Sequence, residues 1–137
     1  VILWSAFWKC VLSFSNFGSL SRPSSENLKQ AVKILDARKV DFEFDGEMTP
    51  EVALDYDLIK ENYPFCRLSG PANVLIMPSL LAANISFKLL QKIGNGSVLG
   101  PLMIGGEKPF QIVQMGSSVS DIVNSASISA YNALYTK

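Results

Sequence analysis

The sequence predicts an α/β fold: a mostly parallel sheet with helices on both faces, a three-layer α/β/α arrangement. Three observations carry this. Charged and apolar blocks alternate along the chain at α/β spacing. Asn73-Val74-Leu75-Ile76-Met77 is a continuous apolar run closed by Pro78, as expected of a central parallel strand. Leu28, Ala31, Val32 and Leu35 recur at i, i+3, i+4, i+7, which puts one apolar stripe on a helix.

Taken in order, Cys10 to Phe14 reads as a first strand and Ser15 to Ser19 as the polar loop after it. Pro23 precedes Ser24 and Ser25, both suitable helix caps, and the helix they open runs to about Arg38. Val40 to Phe44 reads as a second strand stopped by Asp45-Gly46-Glu47. Thr49-Pro50-Glu51 starts an amphipathic helix, with proline at its first position, broken near Pro64. After the 73–77 strand a helix spans about Ala82 to Ile93, with Gly94 where a terminating glycine belongs. Ser97 to Ile104, interrupted by Gly100-Pro101, and Phe110 to Val113 read as further strands. The last helix starts at Ser118, with Asp121 three residues on in an aspartate version of the capping box. The predicted order is β-α-β-α-β-α-β-β-α.

Composition excludes several functions. With 137 residues the chain is at most one domain. Twelve Lys+Arg balance twelve Asp+Glu, so no basic excess supports nucleic-acid binding. Histidine is absent, which removes Ser-His-Asp and Cys-His nucleophile pairs and any His-ligated zinc or iron. Cys10 and Cys66 have no CxxC spacing and read as free thiols of a cytoplasmic protein. Val1 to Phe17 is apolar, yet Lys9 divides it into halves too short to span a bilayer, and its charge is misplaced for a signal peptide. At 48% hydrophobic and 18% charged, the chain carries more apolar surface than so short a domain needs, which predicts surface covered by something else.

In open parallel sheets ligands gather beyond the carboxyl ends of the strands. That rule selects four loops: Ser15 to Ser19, Asp45 to Met48, Pro78 to Asn84, and Gly100 to Gly106. Ser15, Asn16, Gly18 and Ser19 offer hydroxyls, an amide and backbone N–H groups for an anion or a carbonyl oxygen. An ordinary strand-to-helix connection would look the same. The loop is neither GxGxxG nor a P-loop. Asp45 and Glu47 suit metal binding or acid-base work, or a solvated turn. Asn84 suits either a ligand contact or a cap. Gly105-Gly106 suits close backbone approach or a flexible turn, and Lys108 a phosphate or solvent.

Taken together, these loops form a pattern. Tyr63 to Asn124, with SFSNFGS (Ser13 to Ser19) and the Asp45-Gly46-Glu47 triplet, resembles the phosphate acetyl/butyryl transferase family over about Val11 to Ala133. Residues 1–10 do not resemble it, so the expected organisation is an unmatched 1–10 segment and a partial transferase-like domain over 11–137. The resemblance implies one subdomain of an isocitrate/isopropylmalate dehydrogenase-like (phosphotransacetylase) fold. RLSGPANVL (Arg67 to Leu75) resembles the C-terminal phosphotransacetylase-like domain of bacterial NADP-dependent malic enzymes, with Gly70-Pro71-Ala72-Asn73 where transacetylases carry Gly-Lys-Ala-Asn.

The resemblance further implies a serine-arginine pair and an aspartate that bind CoA and assist acyl transfer. The matching positions are Gln114, Met115 and Asp121, so only the aspartate is kept. The implied function is a regulatory and oligomerisation module with a degraded transferase site that senses acetyl-CoA. An active acyltransferase and an inactive remnant are the alternatives. Implied partners are further copies of the chain, the missing upstream subdomain and the malic enzyme domains. NADP and a divalent metal would belong to those domains alone. No nucleic acid or membrane partner is expected.

Overall fold

The structure is a computed structural model that describes residues 7–20, 22–94 and 98–135. Its elements are β1 (Trp8–Leu12), α1 (Pro23–Arg38), β2 (Glu43–Met48), α2 (Pro50–Leu54), α3 (Tyr56–Asn62), β3 (Val74–Ile76), α4 (Leu80–Ile93) and α5 (Val119–Tyr135). The described residues divide into two compact units, one running up to residue 88 and a second from residue 89 onward.

The first unit is built on a parallel three-stranded sheet of order β2-β1-β3. Here the α/β expectation holds, but the places of the strands change. β1 starts at Trp8, earlier than Cys10, and is the central strand; Cys10, Val11 and Leu12 are buried. β3, expected at the centre, is a three-residue edge with Ile76 exposed. Cys10, Leu12, Met48, Val52, Ala53, Ile59, Leu68 and Ala72 form the core, so burial concentrates where β1 and β2 meet α2 and α3.

Local chemistry explains the helix ends. Pro23 is the first residue of α1, and Arg22 rather than a serine is its cap. Ser25, fully buried, accepts the Arg22 N–H at 3.1 Å. Ser24's side chain lies outside the described residues. The single helix expected from Thr49 to Pro64 is two, because Asp55 interrupts it and its Oδ1 accepts from Leu58 N–H at 3.0 Å, capping α3. Ser79 opens α4, its Oγ accepting from Ala82 N–H at 3.2 Å, and Gly94 follows its last residue as expected.

The strands expected at 97–104 and 110–113 are absent among the described residues, Ser97 itself lying outside them. Gly100 sits at φ 135° and Pro101 has no N–H to give a ladder. The Gln111 side chain instead brackets Met103, accepting its N–H at 3.0 Å and donating to its carbonyl at 3.5 Å. α4 and α5 contain no buried residue, and most of the exposed large apolar side chains lie on them and on the 99–115 segment between them. No described helix is long and apolar enough to cross a membrane.

Candidate functional site

β1 leads through α1 to β2 on one side, and β2 leads through α2 and α3 to β3 on the other. The strand order therefore reverses at β1. A crevice beyond the carboxyl ends of β1 and β3 is where such sheets place ligands. Ser13 to Ser19 leaves β1 there, and Met77 to Ser79 leaves β3.

The first loop is braced from within. Ser15 Oγ donates to Glu47 Oε1 at 2.8 Å, and Phe17 N–H donates to the Glu47 carbonyl at 2.6 Å. Asn16 Oδ1 accepts from Thr49 N–H at 2.7 Å and from Thr49 Oγ1 at 3.1 Å. Ser19 N–H donates to the Asn16 carbonyl at 3.0 Å, and Ser19 Oγ accepts from Asn16 N–H at 3.3 Å. Phe17 and Gly18 both take positive φ, 48° and 83°, which turns the chain sharply. A side chain at Gly18 would meet Lys29 Nζ at 2.7 Å, so the ammonium lies across that residue. Of the four candidate positions in this loop, Ser15 and Asn16 spend their polar groups on the fold; Gly18 and Ser19 remain at its outer turn.

Asp45-Gly46-Glu47 is not a loop. It lies inside β2, and both carboxylates are buried. The solvated-turn reading is therefore overturned, because the strand continues to Met48 and pairs with β1 on both sides of a register shift that leaves Glu47 without a partner residue on β1. Gly46 is at φ 144°, where a Cβ would come within 2.7 Å of the Val11 carbonyl oxygen, so only glycine fits. Asp45 Oδ1 accepts from Gly46 N–H at 2.9 Å and Arg67 Nη2 at 3.1 Å, and its Oδ2 from Arg67 N–H at 2.8 Å. Arg67 also pairs with Asp36 and stacks 4.7 Å from the Phe44 ring. Glu47 Oε2 and Ser13 Oγ are buried without a hydrogen-bond partner. No group of three metal-ligating side chains occurs among the described residues.

Cys10 and Cys66 are free and flank Asp45. Burial, then the neighbouring Cys66 and Asp45, push the Cys10 thiol up to about 12. Burial foremost pushes Cys66 up to about 11. Both thiols stay protonated at neutral pH and are poor nucleophiles.

Asn84 does not open a helix; it is the fifth residue of α4 and is exposed. In the second unit a cavity of about 440 Å³ is lined by residues 103–110 and Asn132, so Gly105, Gly106 and Lys108 share one concave surface. Gln114 and Met115 form an exposed turn, with Ser117 N–H donating to the Gln114 carbonyl at 3.0 Å. Asp121 closes the expected capping box. Its Oδ2 accepts from Ser118 N–H at 2.9 Å and Ser118 Oγ at 2.8 Å, and Ser118 Oγ accepts from Asp121 N–H at 3.2 Å. The Ser118 hydroxyl, then its N–H, hold the Asp121 carboxyl below its ordinary value.

Among known proteins, a family model described as phosphate acetyl/butaryl transferase matches residues 9–130. The chain belongs to the phosphate acetyl/butyryl transferase family. Within this transferase family it is 54% identical over 123 residues to an NADP-dependent malic enzyme of Rhizobium meliloti (strain 1021), covering 90% of this chain and 16% of that enzyme. It is 36% identical over 121 residues to a phosphate acetyltransferase of Treponema pallidum (strain Nichols), covering 86% of this chain and 36% of the relative. A phosphotransacetylase structure from Streptococcus pyogenes superposes with a TM-score of 0.84 at 30% identity, over 93% of this chain and 39% of that one. The transferase-like chain thus spans a minor part of each relative's length.

Sequence reasoning passed over Lys29, Thr49, Tyr63 and Phe65, all of which contact the first loop or its ring cluster. Periodicity gives no signal for them, since each reaches the loop only through the fold. The one hint in the sequence was the aromatic pair Tyr63 and Phe65 flanking Pro64.

Proposed function

We propose that this chain is part of the phosphotransacetylase-like domain of an NADP-dependent malic enzyme, where it regulates and oligomerises rather than transferring acyl groups. The observation that carries this reading is Met115, fully exposed where the family resemblance places an arginine. A thioether cannot neutralise phosphate or stabilise a developing oxyanion; charged or preorganised donors do that work. Gln114 replaces the preceding serine, and Asp121 is occupied in capping α5. The identity to malic enzymes supports the same choice.

In this reading the cleft binds acetyl-CoA as an effector. An effector acts only through different affinity for two states of the enzyme, so a cleft that binds without turnover suits a sensor. The apolar faces of α4 and α5 supply surface for further subunits. In this reading NADP and a divalent metal belong to other parts of such an enzyme. A cytoplasmic location follows from the same reading.

The competing reading is an active phosphate acyltransferase, converting acetyl-CoA and phosphate to acetyl phosphate and CoA. The retained Asp121 and the phosphotransacetylase neighbours favour it. Titration of acetyl-CoA together with an assay for acetyl phosphate separates the two. Saturable binding without acetyl phosphate is expected. Robust turnover would refute the degraded site, and absence of binding would refute the sensor.

A further inference from the structure

The four methionines differ in what surrounds them. Met48 has a relative exposure of 0% and belongs to the core of the first unit, and Met77 packs half-buried against that core. Met103 lines the cavity of the second unit and is 37% exposed. Met115 stands at 108%, the highest value among the exposed large apolar side chains. The turn that carries it is closed by the backbone alone, Ser117 N–H donating to the Gln114 carbonyl at 3.0 Å, and the space beside Gly116 is open to 4 Å. No packing among the described residues depends on the Met115 thioether, and nothing there screens its sulfur from solvent. A thioether sulfur is polarisable and takes up oxygen from peroxides, the more readily the better solvent reaches it. The two thiols compete poorly for the same oxidant at neutral pH, since burial keeps Cys10 and Cys66 protonated.

We propose that Met115 is a site of reversible oxidation by hydroperoxides, and that the sulfoxide formed there lowers the affinity for acetyl-CoA. The sulfur lone pair attacks one peroxide oxygen, the O–O bond breaks and an S–O bond forms. The proton on the transferred oxygen passes to the departing oxygen, which leaves as water or an alcohol. Sulfur is oxidised by two electrons and the peroxide is reduced by two. A dithiol reverses the step: the oxygen leaves as water and the dithiol becomes a disulfide. The Met115 side chain packs on nothing, so its change from an apolar to a polar group spares the fold, whereas the same change at Met48 would break the core. Selective oxidation follows from exposure alone. The effect on affinity rests on the acetyl-CoA reading, in which position 115 belongs to the effector site: a sulfoxide oxygen accepts hydrogen bonds and repels an anionic ligand.

The test treats the full 137-residue chain with limiting hydrogen peroxide at neutral pH and reads each methionine by peptide mass spectrometry. Met115 is expected to gain one oxygen about threefold faster than Met103, in line with their exposures, and Met48 to react only after unfolding in urea. Methionine sulfoxide reductases of both epimer specificities, with dithiothreitol, are expected to remove that oxygen. The thermal midpoint of the singly oxidised chain is expected to match that of the untreated one, and Met115→Leu to abolish the early phase. Acetyl-CoA is titrated by calorimetry before and after oxidation. A loss of about fivefold in affinity is expected, that of one unfavourable polar contact, and none in peroxide-treated Met115→Leu. Met77 or Met103 oxidised as fast as Met115, or a lowered midpoint, would overturn the site. Acetyl-CoA binding that oxidation leaves unchanged would overturn the effect on affinity and leave the sensor reading standing. Selective oxidation without any acetyl-CoA binding would uphold the oxidation site, and overturn the sensor reading together with the effect that rests on it.

Discussion

Ser15 Oγ donates a 2.8 Å hydrogen bond to Glu47 Oε1 across 32 residues of sequence, inside the protein. The bond ties the loop after the central strand to a fully buried carboxyl group on the neighbouring strand. Removing the hydroxyl leaves both carboxyl oxygens of Glu47 without a partner, since Oε2 already has none. Ser15→Ala is therefore expected to lower unfolding free energy by about 1–3 kcal/mol, the cost of stranding a buried acceptor. Urea denaturation measures it, and an unchanged midpoint would contradict the bond's role.

Gly46 sets the approach of β2 to β1. Its φ is 144°, and a Cβ there would stand 2.7 Å from the Val11 carbonyl oxygen, which leaves no room for alanine. Gly46→Ala is expected to cost about 3 kcal/mol or more, combining backbone strain with displacement of β1. Reduced soluble yield and an early thermal transition are the readouts.

Arg67 ties β2 to the 67–72 segment through Asp45, with Phe44 beneath the guanidinium. Arg67→Met keeps the backbone N–H bond to Asp45 and removes the charge. The buried carboxylate then lacks a cation, and a loss of about 2 kcal/mol is expected, discounted for the half-exposed guanidinium. Chemical denaturation measures the loss. Arg67→Lys is expected to recover only part of it, because lysine lacks the planar fork.

The two thiols predict an alkaline limit. Their pKa values are raised in the folded state, to about 12 for Cys10 and about 11 for Cys66, so folding retains protons that the unfolded chain releases. That contribution is whole below the ordinary value of 9.0 and is lost as pH rises toward the folded values. Stability should fall above pH 9, by about 1.4 kcal/mol per pH unit for a single fully buried thiol. Denaturation in a reductant from about pH 8 to 11 checks this, and Cys10→Ala should flatten the slope.

Asp121 predicts the opposite limb. Its carboxyl is held below the ordinary 3.8 by Ser118, so its support of α5 is present above that value and lost as pH falls through the folded value. Asp121→Asn should lower helical circular dichroism at neutral pH and leave the acid limb shallower.

By itself the sequence determined the α/β class, α1, α4 and α5, and the family likeness. Each of these rests on near neighbours in the chain: Leu28 to Leu35 share one helical stripe, and Ser118 and Asp121 are a turn apart in their box. The tertiary structure alone decided which strand is central, that Asp45 and Glu47 are buried inside β2, and that Ser15 and Asn16 brace the fold. It also placed Lys29 across Gly18 and gathered Phe17, Tyr63 and Phe65. The reason is that burial and partnership are properties of contacts between distant residues. A carboxylate followed by glycine reads as a turn until a strand and an arginine 22 residues away close around it.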